Sequence, residues 1–325
     1  MFQNLTYAKL FQDHLKESSF PETPANLYDP IRYILSLSGK RIRPLLALMG
    51  AELFDEQQLE AALPASMAIE FFHNFSLIHD DIMDRAPLRR GQPTVHQKWD
   101  ESIAILSGDG LLVQAYVELA KCKSDKIAQL LPVFNKLAIE VCEGQQQDMD
   151  FEQRNQVLEA EYIEMIRLKT SVLLGGALQL GAIIANADKE AQTLLYDFGV
   201  NLGIAFQLQD DILDVYGDPE TFGKQVGGDI LSNKKTILFI KLKELISALD
   251  NEVLEKLLVG SAVSDESKIQ AMKDLYAKYA IKDLAVQLKE QFTEVAYQKL
   301  RAIPIAEDRK QPLFRLADAL MHREQ

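Results

Sequence analysis

Apolar residues recur at helical spacing along nearly the whole chain, and no stretch shows the sustained alternation of a half-buried strand. In PASMAIEFFHNFSLIHDDIMD (64–84), Met67, Phe71, Phe75 and Ile78 follow at intervals of four, four and three, one continuous face of a helix. Segments 125–150, 159–185 and 193–217 read the same way, and the C-terminal third is amphipathic helix rich in Lys and Glu. The breaks SSFPETPANLYDP (18–30), RAPLRRGQP (85–93), YGDPETFGKQVGGD (216–229) and VGSAVSDESK (259–268) are turn-like, but none is long or polar enough for a domain linker. The expectation is a single all-α domain over residues 1–325. A hydrophobic fraction of 47% supplies a sizeable core, and 16 glycines with 11 prolines are too few for a collagen-like or disordered chain.

The stretch TSVLLGGALQLGAIIANA (170–187) runs 18 residues without a charge. It also holds Thr, Ser, Gln and Asn, and Lys169 abuts it. It therefore reads as a buried central helix, in which Gly175, Gly176 and Gly181 let neighbours approach, rather than a membrane span. Cys122 and Cys142 cannot form a disulfide framework, and the N-terminal MFQNLTYAKLFQDHLKESSF lacks the apolar core of a signal peptide. A soluble, cytoplasmic protein is expected. The net charge of −13 argues against nucleic acid, whose phosphates demand a basic surface. Yet basic residues cluster at Lys40, Arg41 and Arg43, at Arg85, Arg89 and Arg90, at Lys224, and at Lys234 and Lys235. Such clusters suit a small polyanion, above all with metal ions present.

Two segments match each other: LIHDDIMD (77–84) and LQDDILD (208–214) share D-D-I-x-D, and each closes a long apolar helix. In a helix Asp80 and Asp84 are i and i+4, about 5–6 Å apart on one face, and Asp210 and Asp214 repeat that geometry. Acids at a helix C-terminus repel one another and oppose its dipole, so the pattern asks for a compensating ligand. Sparse carboxylates suit Mg²⁺, which takes one or two of them, keeps waters and shares substrate phosphates. Zinc fits poorly, because the histidines and cysteines form neither CxxC nor HExxH, and a calcium loop would need regularly spaced oxygens and a glycine. A metal-bridged diphosphate answers both halves of the pattern: Mg²⁺ neutralises it from the aspartate side while Arg and Lys hold its oxygens. The two acidic helix ends are expected to face each other across one site. A purely structural scaffold would leave six closely placed carboxylates uncompensated.

Five motifs, in order, resemble those of the trans-type polyprenyl (isoprenyl) diphosphate synthases. They are GKRIRP (39–44), DDIMD followed by PLRRGQPTVH (80–96), LKTSVLL (168–174), FQLQDDILDVYGD (206–218) and FGKQVGGDILSNKKT (222–236). The resemblance implies an isoprenoid synthase-type helical bundle around a central cavity, usually a homodimer. It implies head-to-tail condensation of isopentenyl diphosphate with an allylic diphosphate (dimethylallyl, geranyl or farnesyl), with three Mg²⁺ per active site. Diphosphate leaves, a delocalised carbocation forms, the second double bond attacks it, and a proton is lost to the departed diphosphate; electrostatic stabilisation of the leaving group is the main catalytic term.

By the same resemblance Asp80, Asp84 and Asp210 match direct metal ligands, with Asp81, Asp211 and Asp214 in support and Asp229 on metal-bound water. Arg89, Lys169, Lys224 and Lys234 match residues that grip the allylic diphosphate, with Thr170 and Gln207 beside the reacting carbons. Lys40, Arg43, His73 and Arg90 match the isopentenyl diphosphate site. Each has a plainer reading: a solvated basic turn for Lys40 to Arg43, a packed histidine for His73, satisfied buried polar groups for Thr170 and Gln207. His79 and His96 read as structural and Trp99 as packing. The product grows alongside the helix that ends in Asp80. Phe75, about 7.5 Å back along the axis, then sets the floor with Phe72 and Phe71, and a C20 product is favoured over C15. A terpene cyclase of the same fold, or a non-catalytic subunit of a heteromeric synthase, is the alternative. Both aspartate motifs are intact, and the GKR and Arg-Arg elements serve a second diphosphate that a cyclase lacks.

Overall fold

Pro64 opens the helix that carries the first aspartate motif, at a position where its missing N–H costs nothing, and the apolar stripe behind it runs for 21 residues to Met83. The rest of the chain follows the same logic. A computed structural model describes residues 6–217, 226–259 and 264–321. In chain order its helices are α1 (Thr6–Glu17), α2 (Ala25–Ser36), α3 (Ile42–Glu52), α4 (Leu63–Met83), the short α5 (Val95–Lys98) and α6 (Glu101–Leu119). Next come α7 (Ser124–Glu152), α8 (Glu159–Ile166), α9 (Val172–Ile184) and α10 (Lys189–Tyr216). The chain continues with α11 (Gly228–Leu231), α12 (Ile237–Leu245), α13 (Ala248–Val259), α14 (Asp265–Lys278), α15 (Ile281–Ala302) and α16 (Glu307–Met321). Among the described residues the sole sheet is a ribbon of two two-residue strands, Leu88–Arg89 and Gln92–Pro93. The all-α reading holds.

The backbone gathers into two compact units, interleaved along the chain. One comprises residues 1–139, 173–196 and 303–309. In it α4 packs along α6, and Leu46, Ala47, Met67, Ile69, Phe71 and Leu111 are buried. Each of these apart from Ala47 contributes about 1.5–3 kcal/mol relative to leaving it exposed. The other comprises residues 140–172, 197–302 and 310–325. Its core includes Leu208 and Ile212 of α10, Leu238 and Leu242 of α12 and Ile281 of α15.

The uncharged stretch 170–187 is not one helix. Thr170 and Ser171 belong to a π-helical turn over Arg167–Ser171, and α9 then has 13 residues, about 20 Å, too short to cross a bilayer. Buried on nearly every side, α9 lies close against α3, since a Cβ on Gly181 would stand 2.0 Å from the Ala47 carbonyl oxygen. Among the described residues α6 alone has the length and apolarity of a membrane span, and it packs on α4.

Candidate functional site

The first aspartate motif lies where α4 stops. Arg85 takes φ 50°, the Ala86 N–H donates to the Asp81 carbonyl at 2.9 Å and the Arg85 N–H to the Ile82 carbonyl at 3.1 Å. This paired closure satisfies the last carbonyls of the helix. Asp84 is exposed on the last turn, Asp80 half-buried and Asp81 buried. The ribbon that follows turns through Arg90 (φ 53°) and Gly91 (φ 74°), a two-residue hairpin that needs positive φ at both positions. Its geometry sends two adjacent arginines to different places. Arg89 Nε donates to Asp81 Oδ2 at 2.7 Å, and its Nη2 lies 3.5 Å from Asp80 Oδ2. Arg90 Nη1 donates to the Leu37 carbonyl at 3.3 Å. Burial raises the Asp81 carboxyl in spite of Arg89, and Asp81 Oδ1 is buried without a hydrogen-bond partner.

Arg90 meets the other basic cluster. Lys40 is exposed and Arg43 half-buried on the first turn of α3, and Arg43 Nη1 donates to His73 Nε2 at 3.1 Å. Burial, then the charges of Arg43 and Arg90, hold the His73 imidazolium far below its usual range, so the ring is neutral with Nε2 as acceptor. Burial also lowers Arg43, to about 10, with Glu70 opposing, which leaves the guanidinium charged at neutral pH. Arg43, His73 and Arg90 thus share one basic surface, exposed Lys40 follows the Gly39 that abuts Arg90, and Arg41 is turned away into the protein.

In the second unit the site elements converge on the π turn. Gly144 of α7 and Gly203 of α10 flank it: a Cβ on Gly144 would stand 2.2 Å from the Lys169 nitrogen, and one on Gly203 2.7 Å from the Ser171 Cα. Lys169 Nζ donates to Asp148 Oδ2 at 2.6 Å. Burial raises the Asp148 carboxyl, but the charges of Lys234 and Lys169 outweigh it and hold it below the usual range. Thr170 Oγ1 lies 3.5 Å from Gln207 Oε1, and Gln207 Nε2 donates to Asp211 Oδ1 at 3.3 Å. Asp211 is buried, bonded by the Tyr162 hydroxyl and by the Ile237 N–H at 3.3 Å. Burial and the charge of Asp229 push its carboxyl up to about 7, against those bonds.

Asp210 and Asp214 are half-buried on α10. Asp214 Oδ2 accepts the Asp229 N–H at 3.0 Å, which ties Asp229 to the motif. The Lys234 N–H closes back on the Asp229 carbonyl at 2.9 Å, with Asn233 at φ 55°. Lys234 is exposed and acts on Asp148, whereas Lys235 Nζ is held by the Glu152 carbonyl at 3.0 Å. Lys224 lies outside the described residues, as does Arg323.

These contacts correct one expectation from the sequence: the carboxylates are not left without internal compensation. Arg89 serves Asp80 and Asp81, Tyr162 and the Ile237 N–H serve Asp211, and the Asp229 N–H serves Asp214. Sequence reasoning also passed over Asp148, Tyr162 and the Arg41–Glu70 pair. A glutamate inside the apolar run AIEFF, and a third acidic helix end at QQQDMD, were the available signals.

Of the three phenylalanines, Phe72 and Phe75 pack on each other (centroids 5.5 Å), and His79 lies 4.8 Å beyond Phe75 on the same stripe. Phe71 packs instead on Phe20 at 5.8 Å. Trp99 packs edge-on against Tyr33, as read from the sequence.

The chain matches the family model described as polyprenyl synthetase over residues 24–276. It is 38% identical over 305 residues to a geranylgeranyl diphosphate synthase of Methanosarcina mazei, covering 93% of this chain and 91% of that one. It is 35% identical over 322 residues to a geranylfarnesyl diphosphate synthase of Natronomonas pharaonis, covering 93% and 91%. A solved geranylgeranyl pyrophosphate synthase superposes with a TM-score of 0.91 at 45% identity over 98% of both chains. A polyprenyl synthase from Caulobacter crescentus CB15, solved with calcium and isoprenyl diphosphate, superposes with a TM-score of 0.84 at 26% identity, over 98% of this chain and 96% of that one.

Proposed function

Because the chain belongs to the polyprenyl synthetase family and is a short-chain trans-prenyltransferase of the all-α isoprenoid-synthase fold, we propose that it condenses isopentenyl diphosphate with an allylic diphosphate to a C20 product. The observation that carries this is the division of the adjacent arginines. Arg89 joins a carboxylate-lined place suited to a metal-bound diphosphate, and Arg90 joins a predominantly basic one with Arg43 and neutral His73, next to the turn that carries Lys40. Two anion sites of different character are what a two-diphosphate reaction needs, and a cyclase needs one.

In this reading Asp80, Asp84 and Asp210 hold Mg²⁺, three ions per site, with Asp81, Asp211, Asp214 and Asp229 in support. The donor chemistry fits a hard divalent cation: the donors are carboxylates, and Asp81 keeps a buried oxygen unpaired. Among the described residues no three His, Cys, Asp or Glu side chains gather into a ready-made metal cluster. A cation that shares its shell with water and phosphate does not require one. When bound it supplies positive charge to the departing diphosphate.

The chain's own groups do the rest. Asp148 fixes the Lys169 ammonium, which serves the allylic diphosphate with Arg89, Lys224 and Lys234 as further donors. Asp211 fixes the Gln207 amide, which presents its oxygen toward Thr170. Two neutral oxygens stabilise positive charge on carbon without being strong nucleophiles, and the proton leaves to the released diphosphate. Phe75 and Phe72 form the chain-length floor, and Phe71, packed on Phe20, backs them. A relative named for geranylfarnesyl diphosphate makes C25 the competing length.

We take the chain to act as one domain around a central cavity, as a cytoplasmic homodimer. Leu106 (60% exposed) and Val113 (59%) of α6 with Ile139 (60%) of α7 offer the apolar surface for pairing. The test is a product assay with Mg²⁺, isopentenyl diphosphate and each allylic primer from C5 to C15, read by mass spectrometry. A ladder ending at C20 supports the reading. Products beyond C25 remove Phe75 as the floor. Diphosphate release from a primer without elongation hands the case to a cyclase.

A further inference from the structure

Arg41 sits in the middle of the GKRIRP stretch yet is only 8% exposed. It caps α3 in the left-handed conformation, φ 49°, which a residue with a long side chain holds only where its surroundings over-determine it. Those surroundings are three acceptors. The guanidinium donates to Glu70 Oε1, to the Leu35 carbonyl at 2.5 Å and to the Leu37 carbonyl at 2.9 Å. Leu35 and Leu37 belong to the C-terminal end of α2 and its cap, where carbonyls lack helical partners and the dipole is negative. Glu70 is itself fixed, its Oε1 accepting from Asn74 Nδ2 at 2.8 Å one turn further along α4. A planar fork that serves a carboxylate and two carbonyls at once is something only arginine provides.

The Leu37 carbonyl that Arg41 holds also receives Arg90 Nη1 at 3.3 Å. Beside it, Gly39 lies against the Arg90 guanidinium so closely that a Cβ would stand 2.5 Å from Nη1. The turn between α2 and α3 is therefore fixed from below by Arg41 and serves above as the bed on which Arg90 rests. Lys40 and Arg43 flank Arg41 in sequence, so the same anchor sets where they leave the backbone. Pairing with Glu70 also cancels the charge of Arg41.

We propose that the buried Arg41–Glu70 pair is the positioning device of the isopentenyl diphosphate cradle. It fixes the 35–41 turn, and through that turn it sets Lys40, Arg43 and Arg90 for the non-allylic diphosphate without touching substrate. This rests on the reading of that basic surface as the isopentenyl diphosphate site.

The test is steady-state kinetics with each substrate varied in turn, on folded variants checked by circular dichroism. Glu70→Gln keeps the volume and loses the charge, and Arg41→Lys keeps the charge and loses the fork. Gly39→Ala leaves the buried pair intact and displaces Arg90. Each is expected to raise KM for isopentenyl diphosphate about fivefold or more, with KM for the allylic substrate within about twofold, since small misplacements of a binding group carry large kinetic penalties. A KM for isopentenyl diphosphate within twofold of the parent in these variants overturns the proposal, as does an equal rise in both KM values. If the buried-pair variants do not fold, Asn74→Ser, which removes the amide that fixes Glu70 Oε1, takes their place under the same criterion. Arg43→Ala separates the proposal from its premise. If it leaves that KM unchanged, the cradle is not the isopentenyl diphosphate site. If it raises the KM while the other variants do not, only the positioning role falls.

Discussion

Tyr162→Phe removes one oxygen atom from behind the second aspartate motif, and its cost is expected to depend on pH. Tyr162 is 3% exposed and its hydroxyl donates to Asp211 Oδ2. The other two donors to that carboxylate, the Ile237 N–H and the Gln207 amide, both stand at 3.3 Å, the long end for such bonds. Burial and neighbouring acidic charge lift the Tyr162 phenol well above its usual range, so it donates at any pH of interest. The folded-state pKa of Asp211, about 7, lies above the ordinary carboxyl value near 3.9. Its ionisation therefore withdraws stability as pH rises between those values, and the Tyr162 bond, which favours the ionised form, limits that withdrawal.

Deleting the hydroxyl pushes the pKa higher still, so the deficit grows as pH climbs through 7. Below that point the variant loses an ordinary hydrogen bond, about 0.5–1.5 kcal/mol; above it, a charge-assisted one of about 1.5–3 kcal/mol. The difference, about 1.4 kcal/mol, corresponds to roughly one unit of pKa. With about 2 cal/mol/K of unfolding entropy per residue, 325 residues convert these losses to Tm drops of roughly 1–2 °C at pH 5.5 and 2–4 °C at pH 8.5. Thermal melts of parent and variant by circular dichroism in metal-free buffer at the two pH values measure this directly. An equal drop at both, or a larger one at pH 5.5, would refute the role given to the hydroxyl.

Asp84→Ala, at an exposed position, is expected to change stability by less than about 1 kcal/mol while turnover falls by roughly a hundredfold or more; near-normal activity removes Asp84 from the metal set. Gly144→Ala places a Cβ 2.2 Å from the Lys169 backbone nitrogen, which cannot rotate aside. A loss of about 1–3 kcal/mol on denaturation and a raised KM for the allylic substrate should follow, and an unchanged variant contradicts the close approach. Phe75→Ala is expected to lengthen the product by one or more prenyl units in the mass-spectrometric assay, and an unchanged length frees Phe75 of that duty.

The parts legible in the sequence were those written in a local period. The stripe of Met67, Phe71, Phe75 and Ile78 gave α4, and the same reading gave α10 and the acidic ends of both. What escaped depends on long-range contact. Arg41 and Arg43 are the same residue type two positions apart. Only the arrival of Glu70 from α4 makes one an internal strut and leaves the other beside His73. Asp210 and Asp211 look alike for the same reason, until Tyr162 from α8 captures the second. The π turn at 167–171 reads as ordinary helix because the backbones that pack on it, α7 at Gly144 and α10 at Gly203, lie far off in the chain. The arginine ribbon is too short for alternation to show; its signal was the Arg90–Gly91 turn pair.

That ribbon is intolerant of length change in a way surface loops usually are not. Arg89 pairs with Gln92 across a two-residue turn. Side chains along a strand alternate between faces, so one residue added ahead of Arg89 would exchange the faces on which the following residues emerge. Arg89 would be carried off Asp81, and Arg90 off the bed formed at Gly39. An insertion scan would find loop tips elsewhere permissive and find here a single-residue insertion as damaging as deletion of both arginines.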